Sequence, residues 1–403
     1  MTAPKSMAEL AVRVNCARYP QRWDTLFPKV TARFDADGCV YTDPAYYTEL
    51  NRKYGILSEV LPLYQKAAEE VGKDDDLSRF LAVLCRALQD RDFHKEDMAA
   101  FSRPQKPGNF AYDMVTGLAA ASEAEMCFDI LHSRGLPQAV IDQVMRMPEF
   151  GVQYYKIRHD GVPGYNLLDW FQLAIDGKLF RIGRLEFEIF AKFSGRACVF
   201  ENDEGERIAL AHDLPLHRSG NALGSEGYQD ETDAWTPMIT ETDSAWSGHP
   251  VEPDGTVAKR TVTLPKANWR KILSKGDPVI SVHIPAGGGL TPELVDASIQ
   301  EAKAFFAKYF PDYDYKAFCC YSWLMDPQLV ELLGKETNIA KFNLRFAKLV
   351  RKSSGNGAIN FIFLKPDSNF DIHSLPERTT LERKIKQHYL DGKFIYEQIG
   401  YFF

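Results

Sequence analysis

The sequence predicts an α+β protein in which an all-helical N-terminal domain is followed by a domain with a mixed sheet. Residues 1–160 show apolar residues at helical spacing and very little strand-like alternation. Turn-forming residues at 160–164 (DGVPG) then precede a series of strand-like segments. Because 403 residues exceed what one hydrophobic core usually serves, we expect two domains, at residues 1–160 and 161–403.

Helical periodicity is the main signal in the first domain. Residues 111–131 and 137–147 predict two helices separated by Gly135. A further apolar stripe recurs at three- and four-residue spacing and consists of Leu77, Phe80, Leu81, Leu84 and Leu88. Packing of such stripes on one another accounts for this region without a cofactor site inside it.

Strand-like alternation is the main signal in the second domain. Residues 179–190 place Glu186 and Glu188 on one face of a strand. Residues 197–201 and 207–210 flank an Asn-Asp-Glu-Gly turn and are expected to pair as a hairpin. Carboxylates on a strand usually form a solvated face, so Glu188 is a functional candidate only if a cleft lies over that face.

Three other segments of the second domain carry weaker signals. Residues 269–273 predict a short helix, and residues 359–364 predict a strand. The polar stretch at 214–255 is too long for a simple turn and is interpreted as a lid or excursion near the functional site.

The most informative stretch is residues 278–310, where a strand, three glycines and a long helix follow one another. The alternation along the strand places Val279, Ser281 and His283 on one face, and His283 lies near the end of the strand. Thr291 followed by Pro292 is a typical helix start. The glycines at 287–289 let the backbone approach a ligand closely, which suits a phosphate at the helix N-terminus, although glycine runs also occur in plain turns.

Two well-known phosphate loops are excluded. A Walker loop needs a lysine and then a serine or threonine after its last glycine, whereas Leu290 and Thr291 follow here. A dinucleotide-binding fold needs parallel βαβ units, whereas the segments before Pro278 are typical of antiparallel hairpins.

Composition argues against several classes of partner. The net charge is −7 with no basic block, which argues against nucleic acid. The first ten residues lack the apolar core of a signal peptide and no later apolar run could span a bilayer, so we expect no membrane partner and a cytoplasmic location. The seven scattered cysteines, including Cys319 and Cys320, are interpreted as buried thiols. His212 and His217 lack a third ligand nearby in sequence, so no metal site is predicted.

Four motifs carry a resemblance to a known family: RLEFE at 184–188, HIPAGGGL at 283–290, SWLMDPQL at 322–329 and TNIAKF at 337–342. Together with the order of elements, they resemble a bacterial two-domain family with a helical acyltransferase N-terminal domain and a GNAT-like C-terminal domain. The resemblance covers nearly the whole chain. It implies a GNAT-like mixed sheet whose central loop binds acetyl-CoA or another acyl-CoA as co-substrate.

The resemblance also implies which residues bind coenzyme A. The pyrophosphate would lie against the loop formed by Ile284, Ala286, Gly287, Gly288, Gly289, Leu290 and Thr291. One departure stands out, because Ile284 occupies the position where the usual GNAT loop has Arg or Gln. Backbone amides supply most of what such a loop needs, so the glycines still predict that the loop binds the pyrophosphate.

Acyl transfer to an amine needs a base and a proton donor for the leaving thiolate. His283 is the first candidate base because imidazole titrates near neutral pH, and Glu188 is the second because the neighbouring strand of GNAT-like sheets commonly carries a glutamate. Tyr321 and Ser322 are candidate proton donors. Each has a structural alternative: a packing histidine, a glutamate paired with Arg184, a core tyrosine and a capping serine.

The expected function is therefore an acyl-CoA-dependent, GNAT-like N-acyltransferase, specifically an N-acetyltransferase, that transfers the acyl group directly to a small-molecule or peptide amine. The alternative is a non-catalytic GNAT-like module that binds acyl-CoA or a protein partner. A phosphotransferase would need the missing loop lysine and a magnesium-binding acidic pair. The acidic stretch at 226–254 favours a cationic acceptor or is simply solvated.

Overall fold

The computed structural model describes residues 2–90, 100–285, 287–364 and 370–403. Two compact units divide the chain, the first ending at Arg181 and the second formed by Ile182–Phe403. The first contains helices and the second contains mixed sheets, which confirms the predicted α+β class. The domain boundary placed at residue 160 stays a prediction, because compactness alone does not test which segment folds independently.

The first unit is helical because its apolar stripes pack on one another. The stripe from Leu77 to Leu88 is buried, with its helix capped by the Asp74 carboxylate, which accepts from the Leu77 amide at 3.0 Å. The described helices are α1 (Met7–Arg13), α2 (Trp23–Asp37), α3 (Pro44–Tyr54), α4 (Leu61–Gly72), α5 (Asp75–Gln89), α6 (Phe110–Ser122), α7 (Ala124–Ser133), α8 (Gln138–Met145), α9 (Met147–Arg158) and α10 (Leu168–Ile175), with a 3₁₀ helix at Val40–Thr42.

Strands dominate the rest of the chain. They are β1 (Leu179–Ile182), β2 (Leu185–Lys192), β3 (Ala197–Asn202), β4 (Arg207–Ala211), β5 (Thr240–Glu241), β6 (Ala245–Pro250), β7 (Val262–Pro265), β8 (Trp269–Leu273), β9 (Pro278–His283), β10 (Ala317–Ser322), β11 (Ala347–Leu349) and β12 (Gln398–Phe402). The helices are α11 (Pro292–Tyr309), α12 (Gln328–Leu333), α13 (Asn338–Asn343), α14 (Gly357–Ile362) and α15 (Thr380–Leu390), with 3₁₀ helices at Trp323–Met325 and Ile372–Ser374.

The first sheet has the strand order β1-β2-β9-β10-β12-β11. Strand β9 is antiparallel to β2 and parallel to β10. The register between β9 and β10 runs from Ala317↔Val279 to Cys319↔Ser281. Both strands continue beyond those pairs, to His283 and Ser322, so the two strands diverge at their carboxyl ends.

Helix α11 covers one face of this sheet. Its N-cap Thr291 accepts from the Leu294 amide, as the sequence predicts. The buried Ser298 hydroxyl donates to the Ile182 carbonyl and accepts from the Leu185 amide at 3.1 Å, which fixes the helix to the start of β2. Phe306 packs edge-on against Phe187 with 6.2 Å between ring centroids. The loop between β9 and α11 is therefore held at both ends by buried structure.

The second sheet has the order β5-β6-β4-β3-β8, with β7 paired to β6. The predicted hairpin is confirmed, because β3 and β4 pair from Ala197↔Ala211 to Glu201↔Arg207. A hydrophobic core lies between the two sheets, where residues such as Val199 and Leu273 pack with Val279 and Cys319.

Two local predictions are wrong. Residues 269–273 form strand β8, which pairs with β3, because five residues are too few to hold a helix against sheet pairing. Residues 357–362 form helix α14, where a strand is predicted at 359–364. A short apolar run does not distinguish a helix from a strand. Here the burial of Ala358 and Ile359 on one side favours the helix. Residues 214–255, interpreted as an excursion, also contain strands β5 and β6.

Candidate active site

His283 and Glu188 form a hydrogen-bonded pair at the carboxyl end of β9. The two strands that carry them are antiparallel, with Glu188 opposite Ser281 and Glu186 opposite His283. Because side chains alternate along a strand, all of these residues share one face of the sheet. His283 Nε2 lies 3.1 Å from Glu188 Oε2, and their side chains are 25% and 13% exposed. The structure thus joins two residues that the sequence analysis offered as separate candidates.

A β-bulge in β2 follows directly after Glu188. The register with β9 shifts between Glu188 and Ala191, and Phe190 in the bulge has a φ of 60°. A positive φ is unusual for a phenylalanine, and bulges bend a strand and redirect its side chains. The Phe190 ring packs against the Tyr313 ring at 4.8 Å. The bulge therefore shapes the strand beside the carboxylate that contacts His283.

The candidate proton donors Tyr321 and Ser322 lie on opposite faces of β10. Tyr321 is on the face of Cys319, and its hydroxyl accepts from the Ser194 amide at 3.2 Å. Burial raises the pKa of Tyr321, which makes its phenol a weaker acid. The Ser322 hydroxyl accepts from the Leu324 amide at 3.1 Å and caps the following 3₁₀ helix. Of the two, only Tyr321 shares the face that carries His283.

The glycine loop follows β9 and leads into α11. Gly287 and Gly288 have φ values of 84° and 68°, which glycine adopts without strain, and all three glycines at 287–289 are exposed. Ile284, Leu290 and Thr291 flank them and are partly buried. Ala286 was also predicted to bind coenzyme A, and it lies outside the described residues. The loop thus presents its backbone to solvent at the N-terminus of an 18-residue helix.

Arg184 holds this loop from the turn between β1 and β2. Its Nη1 donates to the Pro285 carbonyl at 2.9 Å, and its Nε donates to the Gly289 carbonyl at 3.0 Å. Because the Pro285 and Gly289 carbonyls face this guanidinium, they do not face the outer side of the loop. From the sequence, Arg184 is predicted only as a partner for Glu188, although the turn at Gly183 is a local signal of a different role. A guanidinium thus reaches the loop from the turn before β2, although Ile284 replaces the usual polar residue.

The family motif at 322–329 has a structural role. The buried Asp326 carboxylate accepts from the Tyr396 amide at 2.6 Å and from the Gln328 amide at 2.9 Å. Asn343, at the end of α13, donates to the carbonyls of Leu324 and Asp326. Burial raises the pKa of Asp326 to about 6. These contacts tie the chain after β10 to the chain before β12.

Other chemistries find little support among the described residues. Burial raises the pKa of Cys320 to about 12 and also raises the pKa of Cys319, so neither thiol is poised as a nucleophile. Within the described ranges, no group of three or more His, Cys, Asp or Glu residues could hold a metal ion. In the same ranges, no helix has the length and apolar character to cross a bilayer.

Residues 179–402 match the family model described as the GNAT-like C-terminal domain. No match was found among curated proteins. An acyltransferase in complex with decanoyl-CoA and teicoplanin has a TM-score of 0.61 at 18% identity, and the match covers 98% of each chain. An acyltransferase in complex with CoA and 10C-teicoplanin has a TM-score of 0.61 at 17% identity, again over 98% of each chain. An acyltransferase mutant in complex with octanoyl-CoA has a TM-score of 0.62 at 17% identity over the same shares.

The diverging parallel strands, the glycine loop and the long helix after it define a GNAT-like domain. The family match extends over this entire domain and more than half of the chain, so the protein belongs to the family with a GNAT-like C-terminal domain. This finding confirms the resemblance carried by the four sequence motifs. The solved structures share the fold across both parts of the chain.

Proposed function

We propose that the protein is an acyl-CoA-dependent N-acyltransferase that transfers an acyl group directly from coenzyme A to an amine. The observation that carries the proposal is the His283–Glu188 pair, which lies at the end of β9 where this strand diverges from β10 and beside the glycine loop. The proposed base, the point where the two strands diverge and the proposed phosphate-binding loop therefore follow one another along one short segment. The acyltransferases of similar fold were solved with acyl-CoA or CoA, which supports the choice of donor.

In the proposed complex, the loop amides and the N-terminus of α11 bind the pyrophosphate of acyl-CoA. Gly287 and Gly288 keep Cβ atoms out of the path of the phosphate. Arg184 holds the loop carbonyls on the other side through Pro285 and Gly289. The donor thioester would reach the gap between β9 and β10, where a backbone amide near residues 284–286 would polarise its carbonyl; Pro285 itself has no N–H to donate.

His283 is the proposed general base. Because an ionised carboxylate only accepts hydrogen bonds, Glu188 favours the tautomer of His283 that carries its proton on Nε2 and leaves Nδ1 as the basic nitrogen. Nδ1 would take a proton from the amine as its nitrogen attacks the thioester carbon. The C–S bond then breaks, and the imidazolium returns the proton to the departing thiolate. Tyr321 is the second candidate donor, although its raised pKa makes the imidazolium the better acid.

The proposal also concerns the length of the acyl group and the chemical class of the acceptor. Acetyl-CoA remains a candidate donor, and the similar acyltransferases bound with octanoyl-CoA and decanoyl-CoA make medium-chain donors equally worth testing. The acceptor is proposed to be a small-molecule or peptide amine. Since acyl-CoA thioesters are cytoplasmic metabolites, the proposal includes the cytoplasmic location expected from the sequence.

Calorimetric titration with acetyl-CoA, octanoyl-CoA and CoA, followed by thiol-release assays with a panel of amines, tests the proposal. We expect micromolar donor binding and acceptor-dependent thiol release that is lost in His283→Ala. Donor binding without thiol release for any amine would support the alternative of a non-catalytic acyl-CoA-binding module. Failure to bind any donor would refute the proposal.

A further inference from the structure

Strand β2 changes face at the bulge that follows Glu188. Before the bulge, the Phe187 ring packs on Phe306 of α11 with 6.2 Å between the ring centroids. After the bulge, Phe193 packs in the hydrophobic core between the two sheets, and Ala191 packs against that core. Since side chains alternate along a regular strand, residues 187, 191 and 193 would otherwise all lie on one face. An extra residue in the strand therefore accounts for the change of face.

The register with β9 shows what this extra residue does for the proposed base. Glu188 lies opposite Ser281, whereas Ala191, and not residue 190, lies opposite Val279. Regular pairing continued back from Ala191 would put Glu188 opposite Val282, because a slip of one residue turns each side chain to the other face. Val282 is buried on the face that α11 covers. The bulge thus keeps the Glu188 carboxylate on the face that carries the base.

Tyr313 lies at this bulge, between the two strands. Its hydroxyl donates to the Val279 carbonyl of β9 at 2.7 Å, and the Ala191 carbonyl of β2 is 3.4 Å from the same oxygen. Ala191 and Val279 are the first pair after the shift in register. The phenol therefore contacts both strands at the point where β2 changes face.

The bulge depends on surrounding contacts, because Phe190 has a φ of 60°, which a residue with a side chain keeps only where its neighbours hold it. Its ring is 47% exposed, so burial of that ring contributes little, and it packs on the Tyr313 ring at 4.8 Å. Burial raises the pKa of Tyr313 and the charge of Glu188 raises it further. The phenol therefore lies near the carboxylate and keeps the proton that it donates.

We propose that Tyr313 is a positioning residue for Glu188: its hydroxyl fixes the bulge, and the bulge holds the carboxylate beside His283. Glu188 Oε2 and His283 Nε2 are 3.1 Å apart. If the carboxylate moved away by about half an ångström, this hydrogen bond would be lost, because a separation of about 3.6 Å is too long for one. The kinetic consequence of this inference rests on the proposed acyltransferase function, whereas the geometric consequence does not.

Nitrogen-15 NMR of protein labelled at histidine tests the geometric consequence. Spectra at about pH 9 report neutral imidazole, and the signals of His283 are those lost in His283→Ala. We expect the native protein to show the tautomer with the proton on Nε2, and Glu188→Ala to show a mixture of tautomers. Tyr313→Phe, which keeps the ring and removes only the hydroxyl, should move the His283 signals toward those of Glu188→Ala.

Tyr315→Phe is the matched control. It removes the same group two residues further along the chain, from a ring that packs on Phe318. Among the described residues, the Tyr315 hydroxyl bonds to neither β2 nor β9. The His283 signals should therefore stay native in this variant, and circular dichroism checks that both tyrosine variants are folded.

Turnover tests the kinetic consequence. Tyr313→Phe should lower kcat by about tenfold at unchanged donor affinity, since small displacements of a catalytic group are costly. In a Glu188→Ala background, the same substitution should change kcat by less than about twofold, because the carboxylate that the phenol positions is gone. A tyrosine that only stabilises the sheet would lower kcat equally in both backgrounds.

The outcomes separate this inference from the proposed function. Native His283 signals in Tyr313→Phe would overturn the inference, whether or not the protein acylates any amine. An equal loss of kcat in both backgrounds, or an equal shift of the His283 signals in Tyr315→Phe, would also overturn it. If the native protein acylates no amine, the proposed function fails, and the NMR comparison still decides whether Tyr313 positions Glu188.

Discussion

Removal of the Arg184 guanidinium should weaken acyl-CoA binding by loosening the glycine loop. The side chain bridges β2 and the loop through the carbonyls of Pro285 and Gly289, at 2.9 and 3.0 Å. A third approach, to the Gly288 carbonyl at 3.5 Å, is too long to count as a full hydrogen bond. Arg184→Gln removes the charge and the forked geometry while keeping a polar, uncharged side chain.

The size of the effect follows from those two bonds. Sheltered hydrogen bonds from a charged donor contribute about 1.5–3 kcal/mol each, and exposure to solvent reduces this value. Since Arg184 is only partly buried, we take about 1 kcal/mol for each bond, or about 2 kcal/mol for ordering the loop. If binding must supply that ordering, the dissociation constant rises by about 30-fold.

Calorimetric titration with octanoyl-CoA and acetyl-CoA measures this change, and Arg184→Lys should fall between the native protein and Arg184→Gln because a lysine cannot form the fork. Arg270→Gln is the control, since Arg270 pairs with Glu201 on the second sheet. A dissociation constant within twofold of the native value for Arg184→Gln would refute the role of the arginine. An equal loss of affinity in Arg270→Gln would refute the specificity of the effect.

Three further predictions concern the loop, the base and the helical unit. Gly288→Val should abolish donor binding with little loss of fold, because the φ of 68° strains a branched residue at an exposed position; calorimetry and thermal melts check both parts. His283→Ala should lower kcat by about 100-fold or more at unchanged donor affinity, with partial rescue by added imidazole, and Glu188→Gln should lower it less; normal turnover in both would exclude the pair as the base. Burial raises the pKa of Glu123 from 4.5 to about 8, so the folded protein keeps a proton that the unfolded chain releases, and stability falls as pH rises across that window. Glu123→Gln should remove this fall, and a melting temperature with the native pH dependence would contradict it.

Local features of the fold could be predicted from the sequence because they depend on neighbouring residues. Thr291 and Pro292 start α11, and Thr379 with Glu382, which are three residues apart in the sequence, form a capping box at the start of α15. The alternation of β9 correctly places Ser281 and His283 on one face. The two wrong predictions, at β8 and α14, concern segments of five and six residues. The local preference for helix or strand is weak in such short segments, so packing against the rest of the protein determines their structure.

The role of Arg184 could not be predicted in the same way. It contacts loop carbonyls more than one hundred positions away in sequence, and the four motifs give no sign of that contact. Such a long-range contact depends on which strands are neighbours in the sheet.

The sequence by itself determined the order of the elements, the glycine loop after a central strand, and the residue types that suit acyl transfer. Tertiary structure alone decided that His283 and Glu188, 95 residues apart, meet at 3.1 Å. Side chains along a strand alternate between its two faces, so the face of a given residue can be predicted from the local sequence. The choice and register of the partner strand follow from burial of the whole sheet against α11 and the second sheet, so only the folded chain brings the base and its carboxylate together.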